Sequence, residues 1–299
     1  MHNLNQKTDS TTRSTLDQVK KAVKQAAEPA ANQRFAVDLA RAFGGAIIFS
    51  LPMLMTMENW WLGFTMQRER LALLLILMLP TLVGLSYFVG FEETHYILDD
   101  ILDAFVAYAV GFVASAIVLL LFAVIGPGMP ALEVIGKVAL QAAGASLGAM
   151  LAQDLLGGGD DEANRNQRAA GYYGELFLMG IGALFLSMSI APTEEVVLIA
   201  HQMDEWHALA LAVSTLLMMH AFVYAVEFRG QEAIPPDTSQ ISIFLRFTIV
   251  GYAIALLISL YVLWTFGRLD GMAAQEVVEA VIVLGFPAAL GAAASRLIL

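Results

Sequence analysis

Residues 133–150 read EVIGKVALQAAGASLGAM, and residues 276–293 read EVVEAVIVLGFPAALGAA. Aligned without a gap, the two segments share an initial Glu-Val, a Val five residues further on and a Leu-Gly-Ala near their ends. Both segments are long enough for a helix that crosses a membrane, and both are rich in small residues. Their similarity predicts that the chain contains an internal repeat.

The composition indicates a membrane protein. Of the 299 residues, 58% are hydrophobic and only 14% are charged, whereas soluble domains are about one quarter charged. The mean hydropathy of +0.68 points the same way. The absence of cysteine excludes disulfides and thiolate-metal sites. A net charge of −11 argues against nucleic acid as a partner, which leaves the lipid bilayer as the expected one.

Runs of about 20 mostly apolar residues, which is the length that spans a bilayer, recur along the chain. They predict an all-α membrane protein with eight transmembrane helices. Residues 1–33 are predicted to be a cytoplasmic tail or a helix lying on the inner leaflet, and residues 157–170 an acidic, glycine-rich cytoplasmic linker. The predicted spans are Leu39–Met57, Leu71–Gly90, Ile101–Ile125, Ala131–Leu156, Tyr172–Ala191, Ala208–Val226, Ile243–Phe266 and Val277–Leu297.

Basic residues indicate the orientation, because Lys and Arg collect on the cytoplasmic side. With the amino terminus inside, 12 of the 16 Lys and Arg residues fall in or beside cytoplasmic segments. The exceptions are Arg68, Arg70, Lys137 and Arg268. We therefore expect a multi-pass protein of the cytoplasmic membrane with both termini in the cytoplasm.

The repeat extends beyond the first pair of segments. VGFVASAIVLLLF from Val110 aligns with VGYAIALLISLYV from Val250, and residues 85–92 align with residues 222–229. Residues 56–58 align with residues 192–194, which pairs Glu58 with Glu194. Four spans return the chain to its starting side, so residues 34–156 and 171–299 would be two parallel four-helix repeats. The alternative is chance similarity between segments of membrane composition.

Small residues in the fourth and eighth spans predict close helix packing. This packing could lie within each half of the chain or at the contact between the halves. The residues are Gly144, Ser146, Gly148, Gly285, Ala289, Gly291 and Ala293.

Acidic residues in or beside lipid are the main candidates for an ion pathway, because charges in a membrane usually face protein or water. Glu58 with Glu194, and Glu133 with Glu276, occupy matching positions on the outer side and could form a vestibule for cations. Asp103 and Glu175 lie near the starts of two other spans. The alternative is a set of unrelated interfacial acids, with Glu133 neutralised by a lysine one helical turn later.

The outer segment around HQMDEWH offers a weak metal site. Glu195, His201, Asp204, Glu205 and His207 supply side chains that bind divalent metals, and helical spacing would put His201 and Glu205 on one face. A solvated acidic loop is the alternative, since nothing fixes a coordination geometry. No other segment predicts a cofactor.

Two segments carry a family resemblance. The stretch FxxPxxxTMENWW at residues 49–61 and the stretch APTEE at residues 191–195 resemble a family of bacterial integral membrane proteins with no assigned function. The resemblance implies a multi-pass protein of a bacterial membrane and supplies no activity, cofactor or catalytic residue.

Two functions remain from the sequence. The first is a permeation protein, either an ion channel or a secondary transporter, with cations or protons as substrate. The second is a membrane-embedded structural or regulatory protein that binds a partner or lipid and conducts nothing. An enzyme is not expected, because the chain shows no Ser-His or His-Glu-x-x-His arrangement. Assembly into a homo-oligomer is left open.

Overall fold

The computed structural model describes residues 36–89, 97–156, 171–225 and 244–298. Within these ranges every regular element is helical, which confirms the all-α class. The predicted tail at residues 1–33 and the predicted linker at residues 157–170 lie outside the described residues. The helices are α1 (Ala36–Leu54), α2 (Met57–Thr65), α3 (Arg68–Val89), α4 (Ile97–Leu121), α5 (Ala131–Leu156), α6 (Gly171–Ile190), α7 (Glu195–Gln202), α8 (Glu205–Ala225), α9 (Val250–Thr265, preceded by a π-helical turn at Phe244–Ile249) and α10 (Ala274–Ile298).

Seven described helices are long and apolar enough to cross a membrane. They are α1, α3, α4, α5, α6, the continuous π-turn and α9, and α10. The predicted span at Ala208–Val226 corresponds to α8, which is 21 residues long and is not among the seven. The described residues from Arg41 onward belong to one compact unit.

Two short helices, α2 and α7, were not predicted from the sequence. The sequence-based span ran to Met57, but α1 ends at Leu54 and α2 begins after Thr56. The chain breaks there because side chains bind the last carbonyl groups of α1: the Trp60 indole N–H donates to the Leu54 carbonyl at 2.8 Å. In the second half, α7 likewise follows α6 after residues 191–194.

Helix α5 is the most enclosed span. Of its membrane-length segment, 89% is buried within the protein, compared with 28% of the corresponding segment of α3. The fourth and eighth predicted spans carry charges near their ends and many small residues. A helix surrounded by other helices needs few lipid-facing apolar side chains and many small ones, which explains that composition.

The small residues pack within each half of the chain. A methyl group on Gly45 of α1 would lie 2.6 Å from the carbonyl oxygen of Gly148 on α5, closer than any real contact. In the same way, a methyl group on Gly182 of α6 would collide with the carbonyl oxygen of Gly291 on α10. Two backbone-to-backbone crossings therefore join α1 to α5 and α6 to α10.

Local backbone structure recurs at constant offsets. The Thr56 N–H donates to the Met53 carbonyl at 3.2 Å, and 137 residues later the Thr193 N–H donates to the Ile190 carbonyl at 3.0 Å. Met66 ends α2 with φ −60° and ψ 143°, and Met203, again 137 residues later, ends α7 with φ −84° and ψ 144°. By this match the counterpart of Glu58 is Glu195, one residue beyond the Glu194 that the sequence alignment gave.

The ends of α4 and α9 show the same recurrence. Ala123 and Gly267 both have positive φ, 56° and 71°. Each is followed by a residue whose N–H bonds to a carbonyl five positions back, Val124 to Leu119 and Arg268 to Leu263, both at 2.9 Å. Both ends are Schellman caps. The two caps are 144 residues apart, whereas the sequence alignment paired Val110 with Val250 at an offset of 140. The structural match of α4 with α9 therefore differs from the sequence alignment by four residues, which is about one helical turn.

Two aromatic pairs lie at the contact between the halves. The Phe49 ring of α1 and the Phe185 ring of α6 meet edge to face, with centroids 5.6 Å apart. The Phe88 ring of α3 lies 5.6 Å from the Phe177 ring of α6. We call these two pairs, which connect α1 and α3 to α6, the aromatic seam.

Candidate functional site

The loop between α9 and α10 carries Arg268, which lies among three of the predicted acids. Its guanidinium donates to the Pro192 carbonyl and lies 3.8 Å from the carboxylate of Glu194. Burial lowers the pKa of Arg268, and the negative charges of Glu194, Glu58 and Glu195 oppose that shift. Glu58 and Glu194 therefore do lie near one another, but around a cation, so the arrangement differs from the purely acidic vestibule expected.

A second arginine ties the same loop to the first half. Arg70, near the start of α3, forms a bidentate ion pair with Asp270, with N–O distances of 2.9 and 3.1 Å. It also donates to the Trp264 carbonyl at 2.7 Å and lies 4.9 Å from the Trp264 ring centroid. The guanidinium is thus held by charge, backbone and aromatic face together.

The predicted neutralisation of Glu133 is confirmed. The Lys137 ammonium lies 2.6 Å from the Glu133 carboxylate and 5.5 Å from the Phe64 ring of α2. Its matching acid, Glu276, instead accepts the Ala273 N–H at 2.8 Å at the start of α10. The members of this acidic pair are thus held by different partners.

Two other pathway candidates lie elsewhere. The Ser86 hydroxyl of α3 is 3.3 Å from the Asp103 carboxylate of α4 and 3.2 Å from that of Asp100, which is 4% exposed. Glu175 is half-buried near the start of α6.

The predicted metal ligands are not gathered into one site. Among the described residues there is no group of three or more His, Asp or Glu side chains that could hold a metal ion. His201 ends one helix and Glu205 begins the next, so the two do not share a helical face as predicted. Asp204 instead caps α8 by accepting the His207 N–H at 2.9 Å, and this bond lowers the pKa of Asp204.

The structure adds one feature that the sequence reasoning missed. Asn59 of α2 and Gln141 of α5 are both fully buried, and both donate to the Met53 carbonyl at the end of α1, at 3.3 and 3.2 Å. Their own side-chain oxygens accept no hydrogen bond within the described residues. A comparison of the two halves could have revealed this pair, because the matching positions in the second half hold apolar residues, Val196 and Leu284.

Long apolar helices, a break after α1 and α6, and charges confined to helix ends and loops define an integral, multi-pass membrane protein. The chain belongs to the family described as “Putative integral membrane protein (DUF2391)”, whose model matches residues 38–299. This match confirms the family resemblance. No match was found among the curated proteins or the solved structures.

Proposed function

We propose that the protein is a secondary transporter for a cation or proton, built from two parallel repeats of four spans each. The observation that carries the proposal is the recurrence of one helix plan, a long helix, a break, a short helix and three long helices, with the same glycine crossing in each copy. Parallel repeats with interrupted helices are a common plan of secondary transporters.

In this plan α8 is also a span, the sixth in chain order, which brings the number of spans to eight. Its 21 residues reach about 31 Å at 1.5 Å per residue, which is enough to cross the hydrocarbon core. It follows α7 as α3 follows α2. With both termini in the cytoplasm, α2, α7, the loop that bears Arg268 and the start of α5, which bears Lys137, lie on the outer side.

The ion pairs support this orientation. Arg70, Lys137 and Arg268 are three of the four basic residues that depart from the positive-inside pattern. Each has an acidic partner within 4 Å: Asp270, Glu133 and Glu194 respectively. Their net contribution to the positive charge of the outer side is therefore small.

The same contacts favour a carrier over a continuously open channel. Arg70 ties the two halves together at the outer end through Asp270, and aromatic rings line the seam between them. In each of its states a carrier is closed at one end. That end opens when the two repeats rock against each other. This conformation would be closed to the outside.

The transported species is assigned from charge. Arg268 is one positive charge that interacts with three negative ones, those of Glu58, Glu194 and Glu195. The excess negative charge would raise the local concentration of cations at the outer end.

A second candidate is a structural or regulatory membrane protein that conducts nothing. The packed aromatic seam favours it, because rings such as Phe49 and Phe185 leave the centre apolar. Both candidates predict the same fold and differ only in flux.

Flux into liposomes separates them. The purified chain should carry Na⁺, K⁺ or H⁺ down an imposed gradient. Replacing Glu58 and Glu194 together with Gln should reduce that flux several-fold, because Arg268 would then face the entrance with Glu195 alone. Glu69→Gln is the matched control: it removes an exposed acid at the start of α3 and should leave the flux unchanged. An absence of flux for all three ions would favour the non-conducting candidate.

A further inference from the structure

The amide pair at the end of α1 offers a binding site that the outer ion pairs do not explain. Asn59 and Gln141 come from different helices, and each is 0% exposed. Because both amide nitrogens lie within 3.3 Å of one oxygen, that of Met53, the two amide groups are neighbours. A buried polar group without a partner calls for a physical explanation.

The donors of this pair have a clear structural role. The last carbonyl groups of a helix have no partner within the helix. The Met53 carbonyl accepts the Thr56 N–H as well as both amides, so the end of α1 is capped by three donors. Capping fixes which end of each amide points at Met53. The oxygens of Asn59 and Gln141 must therefore face away from it.

Those two oxygens determine the chemistry of a ligand. Both are neutral acceptors, and no described residue donates to either of them. An anion would be repelled. A divalent cation normally takes carboxylate ligands, and none is among these contacts. Neutral amide oxygens suit a monovalent cation, whose remaining coordination positions would be taken by water or by further oxygens.

The position also fits a cation. Gln141 lies ten residues into α5, about 15 Å from the start of that helix and so below the outer membrane surface. The break between α1 and α2 brings a helix end to this region, as interrupted helices do at the coupling-ion sites of transporters. The nearest lysine in the chain, Lys137, directs its ammonium to Glu133 at 2.6 Å and so is already compensated.

The second half lacks these groups. At the positions that match Asn59 and Gln141 it has Val196 and Leu284, which are 2% and 0% exposed and pack in the apolar core. The end of α6 is capped instead by the Thr193 hydroxyl, which donates to the Ile190 carbonyl at 3.0 Å. A polar pair is thus not required to close this type of helix break.

We propose that Asn59 Oδ1 and Gln141 Oε1 are ligands of one buried monovalent cation, bound at the end of α1 in the first half only. The site deepens the proposed function, because its role as the transport or coupling site depends on transport. Binding itself can be measured without any flux.

The test measures the thermal stability of the purified full chain in detergent. NaCl, KCl or LiCl replaces N-methyl-D-glucamine chloride at constant ionic strength. A cation that binds only the folded protein raises Tm in a saturable way, and at 100 times its Kd it increases the ratio of folded to unfolded protein about 100-fold. We expect such a rise with at least one of the three ions.

The variants locate the site. Asn59→Val with Gln141→Leu copies the residues of the second half, so it should fold but lose the ion-specific rise in Tm. Ser50→Ala is the matched control, because it removes a buried hydroxyl of α1 that bonds within the helix, and it should keep the rise. If the double variant does not fold, Asn59→Val and Gln141→Leu singly should each weaken binding at least tenfold.

Two outcomes would overturn the proposal. Equal Tm values in all four salts would mean that water, or the protein itself, satisfies both oxygens. An unchanged ion-specific rise in the double variant, or in both single variants, would place the cation elsewhere. Binding that is lost in the variant, together with no flux in the wild type, would keep the site and reject only transport.

Discussion

Arg70 and Asp270 join the two halves of the chain through a bidentate ion pair with N–O distances of 2.9 and 3.1 Å. The Arg70 side chain is 12% exposed, whereas that of Asp270 is 51% exposed. Arg70 is thus the more buried member of the pair, and Asp270 is the more exposed one.

The first prediction concerns this arginine. Arg70→Ala should lower the free energy of unfolding by about 1–3 kcal/mol, because it removes charged hydrogen bonds to both Asp270 and the Trp264 carbonyl. Asp270→Ala should cost less, about 1 kcal/mol, because Arg70 keeps its contacts with the Trp264 carbonyl and ring. Chemical unfolding in detergent measures both. Arg68→Ala, an exposed neighbour, should change stability by less than about 0.5 kcal/mol; a cost equal to that of Arg70→Ala would contradict this prediction.

The second prediction concerns the glycine crossings. Gly182→Ala should destabilise the protein by about 1–3 kcal/mol, because the new methyl group collides with the Gly291 carbonyl. Gly180→Ala on the same helix would meet Ile258 and Ile254 at 3.7 and 3.8 Å, ordinary contact distances, and should be neutral or stabilising by up to about 1 kcal/mol. Thermal unfolding of the two variants provides the comparison, and similar Tm values would show that the crossing is not tight.

The third prediction repeats that comparison in the first half. Gly45→Ala should destabilise the protein in the same way, since its methyl group would lie 2.6 Å from the Gly148 carbonyl oxygen. Gly44→Ala has nothing within 4 Å and should be tolerated. Because the two crossings are alike, the losses for Gly45→Ala and Gly182→Ala should agree within about a factor of 2–3. A loss in one half alone would argue against equivalent packing.

The fourth prediction concerns the Glu133–Lys137 pair. The Lys137 side chain is 9% exposed and that of Glu133 is 26% exposed, so the carboxylate can recover water more easily than the ammonium. Glu133→Gln should therefore destabilise the protein more than Lys137→Met, since an unpaired buried charge is more costly than a lost pair. Tm values of the two variants at neutral pH test this order. The opposite order would mean that the Lys137 ammonium has another compensating partner.

The fifth prediction concerns topology. Reporter fusions after Gly158 and after Gln231 should both report the cytoplasm, and a fusion after Gln202 should report the outside. That pattern requires α8 to cross the membrane. If the fusions after Gln202 and Gln231 reported the same side, α8 would not be a span and the two halves would have different helix plans.

The sequence predicted the fold class and most of the span positions, because hydrophobicity over about 20 residues is a strong signal. It did not predict α2 and α7, since segments of 9 and 8 residues between two spans look like loops. The sequence alignment also paired Glu58 with Glu194 rather than with Glu195. Because residues 194 and 195 are both glutamate, an alignment that is shifted by one residue still pairs Glu58 with a glutamate.

The candidate site was less predictable. Glu133 and Lys137 are one turn apart, so spacing alone predicted their contact. The acids around Arg268 come together through a loop distant in sequence, and no local pattern indicates that. Asn59 and Gln141 were missed because uncharged amides do not stand out in an apolar segment, although comparison with Val196 and Leu284 would have revealed them.

The aromatic contact between Phe49 and Phe185 has a consequence for the origin of the chain. The two rings belong to α1 and α6, which hold the same place in the two proposed repeats, so the contact lies close to the axis that would relate them. An ancestral protein of one repeat could form the same contact with a second copy of itself, as a symmetric dimer. Fusion of two such genes would free one copy to lose its buried amides. The difference between Gln141 and Leu284 would then mean that only one half keeps the amide pair, whereas two identical subunits must both have it or both lack it.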